Sequence, residues 1–356
     1  MSRLAQLQKQ LAEQEMDGLL ITNPYNRRYL TGFTGTAGAA VVSSEKAFLI
    51  TDFRYVEQAE KETGDFTVIE HSGPIHDTVA KVISEAGLEK IGFESTDLTY
   101  SQYTTYQKAL SAEMIPAEGL VEAMRAVKSK EEISLIQEAV DIADEAFDHI
   151  LSYIKPGVKE IDVANELEFF MRKKGAVSSS FDIIVASGYR SALPHGVASD
   201  KRIEEGELVT LDFGAYYKGY CSDMTRTVAV GEVNNELKDI YATVLEAQKR
   251  AVAQIRAGMT GKEADQIARG YITERGFGSY FGHGTGHGMG MEVHESPRLS
   301  KMSETVLKPG MVVTVEPGIY IAGKGGTRIE DDIVITENGN DVMTKSSKEL
   351  IQAGNN

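Results

Sequence analysis

The chain has 356 residues, long for a single core, and its 42% apolar content is enough to bury two. A formal net charge of −16 argues against nucleic acid as a partner, since that needs a basic surface, and suits a soluble cytoplasmic protein. The only cysteine, Cys221, rules out an intrachain disulfide and a cysteine-built zinc site.

At the N-terminus, Leu4, Leu7 and Leu11 recur at helical spacing among polar residues, which predicts an amphipathic helix and not a secretion signal. No apolar window reaches the length of a membrane span. Strand patterns follow at 18–22, 39–42, 46–51, 66–70 and 90–94, separated by helical stretches near 55–61, 76–86 and 101–110. That alternation predicts a compact α/β domain with a mixed sheet. His71 and His76 have no partners at ligand spacing and are read as structural or surface residues. Ser129 followed by Glu132 forms a capping box that opens a long amphipathic helix running to about Ile154. The domain boundary is placed just before it, giving domains of 1–125 and 126–356.

The second domain contains a faint internal repeat. Residues 145–175 resemble residues 246–276, with Glu145 over Glu246, Ile154 over Ile255, Gly157 over Gly258 and Gly175 over Gly276. Each copy reads as a helix, a glycine turn and a second helix, and the long offset indicates a duplicated half-domain and not a solenoid. A strand pair follows each copy, at 208–231 and 311–336, broken in the middle at Gly or Lys-Gly as hairpins are. If the first turn is Lys218-Gly219 or Tyr217-Lys218, Asp212 and Asp223 project from one face of the sheet. Glu316 and Glu330 hold the corresponding places in the second pair, and Glu330 shares its face with Arg328.

Four carboxylates on one concave surface repel each other and need cations to stay ionised. The stretch from Gly282 to Pro297 (GHGTGHGMGMEVHESP) adds His283, His287 and His294 within twelve residues, in a chain with seven histidines. Four carboxylates and His287 carry a charge of about −4, which balances two divalent ions. Bridging carboxylates would hold such ions roughly 3.5–4 Å apart with a shared, acidified water. An oxygen-rich set suits Mn²⁺ best, with Co²⁺ or Zn²⁺ as substitutes. Taken singly, each acid is more often a hairpin or edge residue, and a Gly-His loop is more often a turn or anion nest; the repeat-related combination shifts the balance. No GxxxxGK[ST], HExxH or GxSxG motif competes.

Five blocks, PHG (194–196), LDFGAYYKGYCSDMTRT (211–227), GHGTGHGMGMEVHESP (282–297), TVEPGIY (314–320) and GGTRIEDDIVIT (325–336), resemble the pita-bread metallopeptidases, which include Xaa-Pro dipeptidases, Xaa-Pro aminopeptidases and methionine aminopeptidases. The resemblance implies an N-terminal α/β domain followed by a pita-bread catalytic domain with an internal pseudo-two-fold repeat. It makes Asp212, Asp223, His287, Glu316 and Glu330 the ligands of a dinuclear centre, with Asp223 and Glu330 bridging and Glu316 also taking the proton of the attacking water. His195, His283 and His294 match histidines that touch substrate or move protons. Arg328 matches an arginine beside the last ligand, where it either holds a substrate carboxylate or balances the acids.

In the first domain, NPYNRRYLTGFTG (23–35) and TDFRYVEQA (51–59) resemble the creatinase-like N-terminal domain, which methionine aminopeptidases lack. Creatinase itself does not need the metal ligands, all of which are present here. The resemblance therefore implies a metal-dependent Xaa-Pro dipeptidase acting before proline. The alternatives are an Xaa-Pro aminopeptidase acting on longer peptides and a non-catalytic peptide-binding relative. It also implies a homodimer in which one subunit's N-terminal domain helps to wall the other's site.

Overall fold

A computed structural model describes residues 1–354 of the chain. They form two compact units, Met1–Arg125 and a second that begins at Ala126. In the first, uncharged apolar runs make the central strands β1 (Gly18–Ile21), β2 (Ala39–Ser43) and β3 (Ala47–Thr51), and β1 and β2 are buried along their whole length. With β4 (Thr67–Glu70), β5 (Lys90–Phe93) and β6 (Glu113–Pro116) they form one sheet, ordered β4-β3-β2-β1-β5-β6. The pairs β1–β2 and β2–β3 are antiparallel and the others parallel, so the sheet is mixed as expected. Five helices accompany it: α1 (Arg3–Glu13), α2 (Pro24–Thr31), α3 (Val56–Glu62), α4 (Ile75–Glu85) and α5 (Tyr100–Ala109).

Two elements of this unit escape the apolar pattern. Helix α2 is mostly polar, and its start is marked instead by the Asn23 cap, whose side chain accepts from the Tyr25 and Asn26 amides, and by Pro24 in the first turn. Strand β6 lies at the sheet edge with exposed Glu113 and Pro116 at its ends, where alternation is not demanded. A short helix, α6 (Leu120–Ala126), follows.

The second unit opens with α7 (Lys130–Ile150), and both halves of the Ser129–Glu132 capping box are made. The helix stops four residues short of Ile154, because Pro156 and the left-handed Gly157 (φ 91°) turn the chain toward α8 (Glu160–Lys173). The duplication is visible in the backbone. Helices α9 (Asn235–Gln254) and α10 (Gly261–Glu274) repeat the pair, and Gly258 repeats the left-handed turn at φ 87°. An isolated bridge follows each turn at matching places, Lys159 with Arg202 and Thr260 with Val306.

After the first helix pair come β7 (Ser178–Ser179), β8 (Ile184–Ser187), β9 (Glu207–Phe213), β10 (Ala215–Tyr217), β11 (Tyr220–Cys221) and β12 (Met224–Val230). Tyr217 pairs with Tyr220, so the turn is Lys218-Gly219, and both residues are left-handed, as a twisted two-residue hairpin requires. The second pair leads to β13 (Gly286–Gly288), β14 (Glu295–Leu299), β15 (Val312–Val315), β16 (Gly318–Ile321), β17 (Gly325–Arg328), β18 (Asp331–Ile335) and β19 (Asn340–Val342), before the short β20 (Gln352–Ala353) closes the chain.

Strand alternation decides which way the acids point. Val209, Leu211 and Phe213 of β9 join Phe147, Ile150, Leu167 and Met171 in one core, so Thr210 and Asp212 face the other way. Val313 and Val315 of β15 join Ile240, Val244, Ile272 and Ile333 in another, which turns Thr314 and Glu316 away in the same manner. Among the described residues no helix is long and apolar enough to cross a membrane.

The glycines beside His287 are explained by backbone proximity. A Cβ on Gly286 would lie 2.0 Å from the Thr314 carbonyl oxygen, and one on Gly288 2.3 Å from that of Ser296. Gly286→Ala should therefore displace β13 from β15, with a stability loss of about 2 kcal/mol. Urea unfolding measures it, and an unchanged midpoint would contradict the packing described.

Candidate active site: an acid-floored cavity

A cavity of about 500 Å³ in the second unit is lined by Asp212, Asp223, His283, His287, His294, His195, Glu316, Arg328 and Glu330, together with Phe181, Asp182, Ile184, Val197, Val293 and Arg298. All nine residues singled out in the sequence thus line one cavity.

Two hairpins supply the floor and are joined to each other. The Glu330 amide donates to the Thr225 carbonyl (3.1 Å), the Thr227 hydroxyl to the Arg328 carbonyl (2.9 Å) and the Asp223 amide to Asp332 Oδ2 (3.1 Å). Behind them, buried Arg226 donates to both the Thr225 and Glu330 carbonyls and pairs with Asp331 Oδ1 at 2.9 Å. Burial would raise the Asp331 carboxyl, but Arg226 and Lys348 outweigh it and hold the group below its usual range.

The strands come together most tightly at three ligand-type groups. One atom each from Asp223, His287 and Glu330 lies within 4.8 Å of the others, and all three residues are buried. His287 Nε2 is 3.7 Å from Asp223 Oδ2 and 3.3 Å from Glu316 Oε1. Its Nδ1 lies 3.1 Å from the Gly288 carbonyl, which in the neutral ring makes Nδ1 the donor and leaves the Nε2 lone pair facing the acids. Burial, aided by His294, pushes the imidazole down to about 3, so it is neutral near pH 7.

Asp212 and Glu316 stand beside this triad with partners of their own. Asp212 Oδ2 is paired with Arg328. Glu316 accepts from Thr314 Oγ1 (3.2 Å), and burial raises its carboxyl to about 7 despite the opposing pull of Arg328. Burial, reinforced by neighbouring carboxylates, also raises Asp223 and Glu330 well above the usual range. Asp212 Oδ1, Glu330 Oε1 and Asp332 Oδ1 are buried without a hydrogen-bond partner among the described residues.

This arrangement fits a divalent metal. Lone pairs of His287 and of carboxylate oxygens face one another, buried acceptor oxygens lack donors, and the oxygen-plus-imidazole set is one that hard or borderline cations take. Asp223, His287 and Glu330 would hold the ion, with Asp212 and Glu316 within reach of the same cavity.

The remaining histidines have separate places. His283 has both ring nitrogens engaged, Nδ1 with the Gly284 carbonyl (2.7 Å) and Nε2 with the Tyr320 hydroxyl (2.8 Å). Burial, with Arg328 nearby, lowers it to about 4, so its neutral ring accepts from Tyr320, which in turn accepts from Arg328 Nη1 at 2.8 Å. Arg328 is fully occupied, since it also donates to Thr225 Oγ1 and the Pro194 carbonyl (both 3.1 Å). His294 is exposed and its ring packs against His287, with centroids 4.3 Å apart; exposed His195 lines the mouth.

Sequence reasoning passed over Tyr320, Thr225, Asp332 and Arg298, although the hairpin registers carry the signal. Gly318 pairs with Arg328, which puts Tyr320 two residues along the same face, and Thr225 pairs with Asp212. Asp332 is two residues from Glu330. Arg298 lies opposite His287 in the β13–β14 ladder.

The fold and this cavity define a metal-dependent peptidase of the pita-bread type. Residues 134–337 match Metallopeptidase family M24 and residues 3–127 match the Creatinase/Prolidase N-terminal domain; the chain belongs to metallopeptidase family M24, whose members use divalent metals. It is 61% identical to a solved Xaa-Pro dipeptidase from Bacillus anthracis (TM-score 0.97, covering 98% of each chain). A solved X-Pro aminopeptidase from Thermotoga maritima is 40% identical, with a TM-score of 0.92 and 99% and 100% of the two chains covered. The Xaa-Pro dipeptidase of Pyrococcus furiosus is 43% identical over 352 residues, 98% of this chain and 99% of the relative.

The buried acids make stability depend on metal and pH. Above about pH 7.5, a unit beyond the ordinary imidazole value, His283 and His287 are neutral both folded and unfolded, while the carboxyls raised by burial still hold protons only in the folded chain, so metal-free stability falls as pH rises from there toward about 9. Metal bound to the folded state opposes that loss. Melting temperatures with EDTA should drop across this interval and recover with Mn²⁺; a flat, metal-indifferent profile would contradict the site.

Proposed function

We propose that the chain is a dinuclear metal-dependent Xaa-Pro dipeptidase that hydrolyses the bond before proline, with Asp212, Asp223, His287, Glu316 and Glu330 holding two divalent ions, Mn²⁺ by preference. The observation that carries this is the joining of Asp223, His287 and Glu330 within 4.8 Å in a cavity that Asp212 and Glu316 also line. A homodimer in the cytoplasm completes the reading, supported by the family resemblance and by the lone, buried thiol of Cys221.

When bound, the metals acidify a water and polarise the scissile carbonyl. The protein's own groups do the rest. Glu316 takes the proton from the attacking water and returns it to the departing proline nitrogen, which leaves poorly unless protonated. His294 and His195, both open to the cavity, donate hydrogen bonds to the developing oxyanion. His283, Tyr320 and Arg328 form a fixed chain that ends on Asp212 and orients it.

Dipeptides are favoured over longer peptides by Arg298. Its guanidinium lines the cavity and makes no hydrogen bond or ion pair among the described residues, so it is available to the carboxylate of a C-terminal proline. An aminopeptidase substrate carries no charge there.

Cleavage of Xaa-Pro should exceed that of Xaa-Pro-Yaa with Mn²⁺, and cleavage of neither would sink the proposal. Arg298→Ala should raise KM for Xaa-Pro roughly tenfold while leaving Xaa-Pro-amide little changed. Glu330→Ala should lower bound metal, measured by elemental analysis, and kcat/KM by more than about a hundredfold; near-normal turnover would refute its role.

A further inference from the structure

The charged groups of the cavity divide by whether they already have partners. Asp212, Asp223, Glu316 and Glu330 make the floor, Arg328 is bound to Asp212, and Arg298 is assigned above to the substrate carboxylate. One charge is left over. Asp182, between β7 and β8, is exposed, lines the same cavity, and makes no hydrogen bond or ion pair among the described residues. Its chain neighbours Phe181 and Ile184, and Val197, which bridges to Ile184, line the same cavity with apolar side chains.

We propose that Asp182 is a specificity-determining residue that receives a cationic group of the residue preceding proline, so that the cavity selects positive over negative charge at that position. The inference rests on the Xaa-Pro reading above. Apolar wall and exposed carboxylate together suit a lysine or arginine side chain, whose methylene stem lies along the apolar surface while its charged head meets the acid. The α-ammonium of the same residue offers the same chemistry from a second source. A glutamate at that position would meet Asp182 as a like charge, which costs affinity for the same reason.

The test compares kcat/KM for Lys-Pro, Leu-Pro and Glu-Pro in the Mn²⁺-loaded wild type and in Asp182→Asn, Asp182→Lys and Asp182→Glu. If the side chain is the source, the Lys-Pro to Leu-Pro ratio falls roughly fivefold in D182N, the size of a solvent-exposed charge pair. In D182K the preference shifts toward Glu-Pro, and D182E keeps the wild-type order. If the three substrates instead weaken together in D182N and recover in D182E, Asp182 meets the α-ammonium and the selection between charges is overturned. Unchanged values in D182N and D182K overturn the proposal. A wild type that cleaves no Xaa-Pro peptide refutes the underlying reading instead. Calorimetric binding of Lys-Pro and Leu-Pro to wild type and D182N then decides for Asp182 independently, with equal affinities counting against it.

Discussion

Mutual repulsion among buried carboxylates is the constraint on which this site depends. Asp212, Asp223, Glu316, Glu330 and Asp332 are gathered at the junction of two hairpins, and Arg328 is the guanidinium placed among them on the cavity side. One cation cannot offset so many acids away from water, and the raised carboxyls of Asp223, Glu316, Glu330 and Asp332 express that imbalance. Divalent ions resolve it. The site is thus unfavourable for the bare chain and favourable for the loaded one, which makes metal binding a part of stability as well as of chemistry.

Holding such a cluster requires a frame that does not yield. The Thr225–Glu330 and Asp223–Asp332 hydrogen bonds lock the two hairpins at the positions where the acids sit, and Arg226 ties both backbones from behind. Each hairpin is backed by its own helix pair and core, so the duplicated architecture presents two polar sheet faces to each other. Alternation then has a direct consequence. Because Val209, Leu211, Val313 and Val315 must face their helices, Asp212 and Glu316 must face the cavity.

The clustered histidines serve three distinct purposes. His287 turns its Nε2 to the acids, His283 is committed to Tyr320 and through it to Arg328, and His294 stays exposed against the face of His287. Glycines alternate along this stretch because β13 threads between β14 and β15, and at Gly284, Gly286 and Gly288 the carbonyls of Leu299, Thr314 and Ser296 approach too closely for a side chain.

Much of this could be read from the residues. The α/β start, the capping box at Ser129, the half-domain repeat and the polar face of each hairpin follow from periodicity and turn chemistry, which act locally. The pairing of Tyr217 with Tyr220 was one of two registers the sequence allowed, and the left-handed Lys218-Gly219 turn selects it. Helix α2 and strand β6 were not legible, since a capped polar helix and an edge strand owe little to apolar pattern. Nor was the division of labour among charges. The sequence by itself determined which faces carry acid and which residues are chemically able to bind metal. Only the tertiary structure decided that Arg328 is committed to Asp212, Tyr320 and Thr225 while Arg298 and Asp182 are left open, because a charge's partner is set by which strands fold against one another and not by its neighbours in the chain.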